Sequence, residues 1–325
     1  WNVGNVRDMN GMFLFAESFD CNLSAWNVFN VTDMSCMFYE ASLFNGDLST
    51  WNVAQVTGMG QMFMSARSFN GDLGAWNVGN VKDMASMFDS ARKFNSDLST
   101  WNVKDVSDLT MMFFKAQSFN GDLSAWDVSQ VTTMNSMFEF AKMFNSDLSA
   151  WNVGNVRNMS DMFLFAESFD CNLSTWNVSN VTFMASMFAW ALTFNGDLSE
   201  WGVSKVQSMS DMFHGAGSFN SDLSAWNVSQ VTDMASMFSC AESFNGDLST
   251  WNVGQVTDMK CMFSGAGSFN ADLNAWKPAC FPHGVTIKQL RPQGVEEEED
   301  EDEVAGDEED EEQQADDDED EQDEM

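Results

Sequence analysis

The chain has 325 residues and a formal net charge of −36. An acidic chain lacks the basic surface that nucleic-acid phosphates and anionic lipids require, so we expect neither as a partner. No apolar run approaches the length of a membrane span, so none is expected in this chain. The six cysteines include no CxxC pair, which argues against a disulfide framework and against a zinc site.

Tryptophan recurs every 25 residues, from Trp1 to Trp276, without an insertion or a deletion. Internal periods of about 20–50 residues are typical of solenoids, propellers and arrays, and propeller blades need about 40. The sequence therefore predicts a solenoid of eleven repeats over residues 1–275, with one coil per repeat. Repeat position 1 is the Trp, so coil 1 is residues 1–25 and coil 11 is residues 251–275.

Each coil is predicted to contain a short parallel strand and a short helix. Trp76 and Val78 flank Asn77 with the alternation of an extended segment. Repeat positions 9, 12, 13 and 16 are apolar, with the spacing of one face of a helix about ten residues long. Asn70–Asp72 and its equivalents have turn composition. Because only stacking on neighbours can bury these apolar rows, the fold class is an α/β repeat solenoid with strands about 4.8 Å apart.

Two segments follow the array. Residues 276–295 keep the Trp, lose the Met-Phe pair and contain all three prolines, so they are predicted to form a C-terminal cap. Residues 296–325 hold 22 of the 50 acidic residues and no Lys or Arg. Such a segment cannot bury enough apolar surface to offset the entropy of ordering, so a disordered acidic tail is predicted.

The unit FNSDLSAWNVSQVTDMASMF at residues 219–238 resembles the short repeat of BspA-like leucine-rich-repeat surface proteins. Mycoplasma-type surface lipoproteins and marine protist proteins carry the same repeat. The resemblance implies a leucine-rich-repeat-like solenoid and a role at the cell surface or outside the cell, in adhesion or protein binding. One departure is the Val at repeat position 6, as at Val31, where the usual repeat has Asn. The chain starts at Trp1 rather than Met, which indicates a fragment or a processed chain.

Repeat position 2 is Asn in nine coils, with Asp127 and Gly202 as the exceptions. Between two inward residues, this Asn is expected to face outward from the strand. One interpretation is a side-chain ladder that stabilises the stack. The other is a polar platform for a repetitive ligand such as a polysaccharide. This polar row comprises Asn2, Asn27, Asn52, Asn77, Asn102, Asn152, Asn177, Asn227 and Asn252.

Paired Asn and Asp side chains mark the turn of each coil, as at Asn45 and Asp47. Stacked turns of this kind bind Ca²⁺ in some repeat proteins. Each Ca²⁺ ion needs six to eight oxygen ligands. Each turn here supplies one carboxylate, and turns closed by Asn and Asp side chains explain the same residues without a metal. We therefore expect no metal site, with Ca²⁺ the less favoured alternative.

Repeat positions 14 and 15 lie opposite the apolar stripe of the predicted helix. They carry large apolar residues in several of the first eight coils and small or polar residues from Trp201 onward. Rows of exposed apolar side chains mark interaction sites, although packing at the flank of the helix would explain the same residues. This outward row is the predicted partner-binding surface and comprises Leu14, Phe15, Tyr39, Met64, Phe114, Phe140, Leu164, Phe165 and Trp190.

No motif for catalysis is present. His214 and His283 lie apart from any Ser or Cys motif, and neither an HExxH sequence nor a Gly-rich phosphate loop occurs. We predict no enzyme, no catalytic residue and no cofactor. The sequence predicts a non-enzymatic scaffold for protein–protein or adhesive binding, with a protein or glycan ligand. The alternative is a structural protein that binds a repetitive glycan through the polar row.

Overall fold

The computed structural model describes residues 1–276, which form a stack of coils in strict register. Repeat positions 1, 3, 6, 9, 12, 13, 16, 19 and 23 point inward and form one hydrophobic core. The predicted solenoid of 25-residue coils is thereby confirmed for the array. The predicted cap, apart from Trp276, and the predicted acidic tail at residues 296–325 lie outside the described residues.

Within residues 1–276 there is neither a helix nor a continuous strand. Isolated parallel bridges join repeat position 8 of neighbouring coils, as between Asp8 and Asp33 and between Asp233 and Asp258. The predicted strand at positions 1–3 is therefore wrong. The coils are registered by single bridges five positions further along the repeat.

The predicted helix is also wrong, because repeat positions 8–16 form consecutive tight turns. The N–H groups of positions 12, 14 and 16 donate to carbonyls three residues back, as Met12 does to Met9 at 3.2 Å. The N–H groups of positions 9, 11, 13 and 15 donate instead to the following coil, as Phe13 does to Met37 at 2.9 Å. Half of the donors that a helix would use internally thus hold the stack together.

Two backbone positions explain why this segment cannot be helical. Residues at positions 11 and 15 have positive φ in every coil, for example 55° at Met111 and 57° at Phe140. A left-handed residue ends an α-helix, but it fits the third position of a type II turn. Successive turns with bonds to the third residue back also place positions 9, 12, 13 and 16 on one side. The apolar spacing is therefore shared by a helix and by this chain of turns.

Aromatic columns run through the core. Neighbouring tryptophans stack in parallel, as do Trp151 and Trp176 with ring centroids 6.4 Å apart. From Trp51 onward each indole N–H also donates to a backbone carbonyl. The Nε1 of Trp151, for example, donates to the carbonyl of Leu123 at 2.9 Å. Phe113 and Phe119 stack at 4.0 Å within one coil, and Phe113 contacts Phe138 of the next at 5.6 Å. An inserted residue would interrupt every column at once.

Candidate functional site

The polar row lies on a loop segment of the array, with every member exposed. Each Asn Oδ1 accepts a hydrogen bond from the N–H two residues later, as Asn152 does from Gly154 at 3.2 Å. Asp127 accepts the same bond from the Ser129 N–H. Coil 9, which has Gly202 at this position, is the one coil of the array without it. The row is thus a set of local turns rather than a ladder between coils. Binding of a repetitive ligand through it remains a prediction.

The ladder between coils lies instead at repeat position 20, which is Asn or Asp in every coil. The Oδ1 of Asn45 accepts from the N–H of Asn70 at 2.8 Å, and the next coils repeat the bond. Asp20 and Asp170 serve equally well, because a carboxylate offers the same acceptor. Sequence reasoning missed this role, although the restriction of position 20 to Asn and Asp was its signal.

The turn aspartates at repeat position 22 are engaged locally. The carboxylate of Asp47 accepts from the Ser49 N–H at 2.9 Å and from its Oγ at 2.7 Å, which lowers the pKa of Asp47. The equivalent contacts with Ser124 and Ser149 lower the pKa of Asp122 and Asp147, respectively. Among residues 1–276, no group of three or more His, Cys, Asp or Glu side chains is arranged to hold a metal ion.

The outward row divides into exposed and half-buried members. Leu14 is 42% exposed, Phe15 59% and Trp190 37%. The other six side chains are half-buried, and the four aromatic ones among them contact a ring of a neighbouring coil. The half-buried members are Tyr39, Met64, Phe114, Phe140, Leu164 and Phe165.

Four members of the row form a continuous aromatic stack over coils 5–8, consisting of Phe114, Phe140, Phe165 and Trp190. Phe114 meets Phe140 edge to face at 6.2 Å, and Phe140 lies parallel to Phe165 at 4.6 Å. Phe165 and Trp190 are parallel at 5.9 Å, and His214 tilts against Trp190 at 5.4 Å. The ring faces are used within the stack, so it is mainly ring edges that reach the solvent. Phe15 and Tyr39 form a separate pair.

Three members of the stack occupy backbone positions that disfavour every residue except glycine. Phe140, Phe165 and Trp190 all stand at repeat position 15, with φ of 57°, 56° and 56°. A non-glycine residue in this conformation costs about 1–2 kcal/mol, and coils 9 and 11 have Gly215 and Gly265 there. The backbone N–H of each of these three residues donates to a carbonyl of the following coil, as that of Trp190 does to His214 at 2.7 Å.

Charged groups surround the stack. Burial raises the pKa of Asp89, Glu139 and Asp161, which lie at repeat positions 11 and 14. The Nζ of Lys115 lies 4.4 Å from the ring centroid of Phe114 and 5.5 Å from that of Phe140. The Nζ of Lys142 contacts Glu167 at 2.6 Å. Aromatic and basic side chains therefore share this surface.

His214 also pairs with an acidic side chain, since its Nδ1 lies 3.1 Å from Asp211 Oδ1. In the part of the chain that the structure describes, neither a hydroxyl nor a thiol is hydrogen-bonded to this imidazole. Within residues 1–276, no helix is suited to crossing a membrane.

Comparisons with known proteins give one family. A sequence model described as "Mycoplasma protein of unknown function, DUF285" matches residues 1–101, 47–142, 91–201 and 193–280. No curated protein matches the chain.

Three solved structures show distant similarity. The TLR13–ssRNA13 complex is 10% identical with a TM-score of 0.30, over 74% of this chain and 45% of that one. The leucine-rich-repeat domain of APL1B is 10% identical with a TM-score of 0.23, over 78% and 83%. The Drosophila Toll–Spatzle complex is 12% identical with a TM-score of 0.18, over 70% and 42%. The chain spans less than half of the TLR13 chain. These TM-scores are too low to establish a shared fold.

Proposed function

The chain belongs to the DUF285 family, and we propose that it is a non-enzymatic scaffold that binds a protein partner through its outward row. In this proposal the array is a leucine-rich-repeat-like member of the BspA-like surface proteins. It acts in adhesion at the cell surface, as the resemblance of its repeat unit implies. The core supplies a rigid support, and the variable outward positions supply recognition.

The observation that carries the proposal is the aromatic stack. Phe140, Phe165 and Trp190 stand where the backbone favours Gly, and where Ser65 and Ser90 show that a small residue is sufficient. Because Ser would bear the same strain at this position, the backbone does not account for the choice of aromatic side chains. Aromatic side chains are also the usual anchors of protein interfaces. Packing of the coils does not require them.

The test replaces the stack with the residue that other coils use. The variant Phe140→Ser, Phe165→Ser, Trp190→Ser is compared with the wild-type chain in quantitative protein capture and on a glycan array. We expect the variant to lose capture of a protein partner, because truncating an interface anchor costs about 2 kcal/mol or more. Size-exclusion measurements on both chains show whether that partner is a second copy.

A matched control removes two exposed aromatics from outside the outward row. Phe29 is 47% exposed and Phe183 is 46% exposed, and both positions are Ser in other coils. The variant Phe29→Ser, Phe183→Ser should retain capture. Equal capture by wild type and the stack variant would overturn the proposal. Retention of glycans alone, abolished by replacing the polar row, would establish the alternative function.

A further inference from the structure

Five of the eleven basic residues within 1–276 lie together beside the aromatic stack. They occupy repeat positions 15–18 of coils 3–6. Residues 1–276 as a whole contain 28 acidic residues and have a net charge of −17. Positions 14–18 sum to +3 over these four coils and to 0 or −1 in every other coil. This basic patch comprises Arg67, Arg92, Lys93, Lys115 and Lys142.

Backbone bonds hold the patch in register. In coils 3, 5 and 7 the N–H at repeat position 18 donates to the position-17 carbonyl of the preceding coil, as Ser118 does to Arg92 and Ser168 to Lys142, both at 3.2 Å. Position 17 therefore recurs at the corresponding place on neighbouring coils. At about 4.8 Å per coil, the patch extends about 14 Å along the stack.

Most of its charge is available to a partner. Arg67, Arg92 and Lys93 are exposed, and they form no ion pair with any other described residue. Lys142 pairs with Glu167, but both side chains are exposed, at 45% and 36%. An exposed pair of this kind contributes little and is easily exchanged for a new carboxylate.

An apolar surface continues from the patch toward coil 8. Met143 follows Lys142 directly and is 59% exposed, and Leu192 is 43% exposed two residues after Trp190. A partner that lies along the stack thus meets cations on coils 3–6 and apolar groups on coils 6–8. The basic patch and the apolar surface beside it together favour a ligand with an acidic end and an apolar end.

We propose that the basic patch and the adjoining apolar residues bind an acidic polypeptide segment whose acidic run is followed by apolar side chains. This inference rests on the proposed function and specifies its partner. A peptide fits better than a sulfated glycan, because sugars stack on open ring faces and Phe165 lies between the parallel rings of Phe140 and Trp190. Aliphatic side chains can pack against ring edges.

The acidic remainder of the chain does not prevent this binding. At physiological ionic strength the Debye length is about 8 Å, so a bound carboxylate responds chiefly to the charges next to it. Acidic residues elsewhere instead oppose binding at other places. They therefore direct such a segment to the basic patch and strengthen its specificity.

The test measures fluorescence anisotropy of a labelled peptide with the full chain. A peptide of about eight residues, with four Glu followed by alternating Leu and Ser, would cross coils 3–8 when extended. The variant Arg67→Ala, Arg92→Ala, Lys93→Ala should raise its Kd about tenfold. The variant Lys82→Ala, Lys104→Ala, Arg157→Ala makes the same change in net charge outside the patch and should leave Kd within about twofold. Unchanged urea midpoints would show that both variants fold.

Three results would overturn the inference: equal losses in both variants, unchanged binding when Leu is replaced by Ser in the peptide, or tighter patch-dependent binding of a heparin fragment of equal charge. The proposed function is judged separately. If the stack variant loses its protein partner while the patch variant retains it, only this inference fails. If neither variant loses a partner, both fail.

Discussion

At the scale of the residue, two backbone positions per coil determine which side chains the array tolerates. Positions 11 and 15 are left-handed in every coil, whether the residue is Gly, Ser, Lys or Trp. Their conformation goes with the turn bonds of positions 12, 14 and 16 to the third residue back, which flank both positions in every coil, and in coils 1–10 the N–H of each also donates to the following coil. The side chains themselves contribute nothing to this choice. Glycine should therefore be favoured there, contrary to its effect elsewhere in the chain.

We predict that Ser65→Gly raises the free energy of unfolding by about 0.5–1 kcal/mol, since it removes the strain at φ 58° and offsets the entropy that Gly adds to the unfolded chain. The control is Ser68→Gly, three residues later at a position without positive φ, which should lower it by about 0.5–1 kcal/mol. Urea unfolding followed by tryptophan fluorescence measures both. A loss of stability in Ser65→Gly would contradict the assigned strain.

At the scale of the coil, side-chain acceptors replace much of the secondary structure that the array lacks. Asn or Asp at positions 2, 8 and 22 close local turns, while position 20 bonds to the next coil, as in Asn120 with Asn145 at 2.8 Å. No buried side-chain N or O atom within residues 1–276 is left without a partner. The repeat is rich in Asn and Asp because its turns need these oxygens.

The ladder makes a prediction that separates acceptor from size. Asn120→Ala should lower stability by about 1 kcal/mol, because the Asn145 N–H loses its acceptor. Asn120→Asp should stay within about 0.5 kcal/mol of wild type at neutral pH, as Asp20 and Asp170 fill the same place. Urea midpoints compare the two variants. Equal losses would assign the effect to packing rather than to the oxygen.

The array and its repeat length could be predicted from the sequence, because the Trp spacing and the inward apolar row admit only a stack. The helix could not, because the spacing of Met9, Met12, Phe13 and Ala16 is common to a helix and to successive turns. The left-handed positions carry only a weak sequence signal, with Gly in three of their places. Of the outward row, Leu14, Phe15 and Trp190 are exposed and the other six members are half-buried, and its role in binding stays a prediction. The basic patch becomes visible only when coils are aligned in register.

At the scale of the whole array, carboxylates in two environments should respond to pH in opposite directions. Burial raises the pKa of Asp89 and Glu139, so their ionised forms oppose folding at neutral pH and this penalty is relieved as pH falls through the raised pKa. Hydrogen bonds from Ser124 lower the pKa of Asp122, so its stabilisation is present above pH 3.8 and is lost as pH falls through the lowered pKa.

We predict that Asp89→Asn with Glu139→Gln is more stable than wild type at pH 7, and that the difference shrinks as pH falls toward 4.5, the ordinary pKa of Glu. Asp122→Asn should instead be less stable at pH 7, with its deficit disappearing only below pH 3.8. Urea midpoints across this range measure both. A constant difference at all pH values would show that the carboxyl charges do not matter.

The backbone hydrogen bonds of repeat positions 9–15 all run the same way along the stack. An ordinary strand edge alternates donors with acceptors, but in this segment the N–H groups point to the following coil and the carbonyls to the preceding one, as at Phe13 and Met37. The N–H groups of positions 7 and 18 run the other way, as Thr57 does in donating to Thr32. Aligned peptide groups add up to a dipole along the stack, as they do in a helix. The segment at positions 9–15 therefore contributes a dipole along the stack that the bonds at positions 7 and 18 partly oppose.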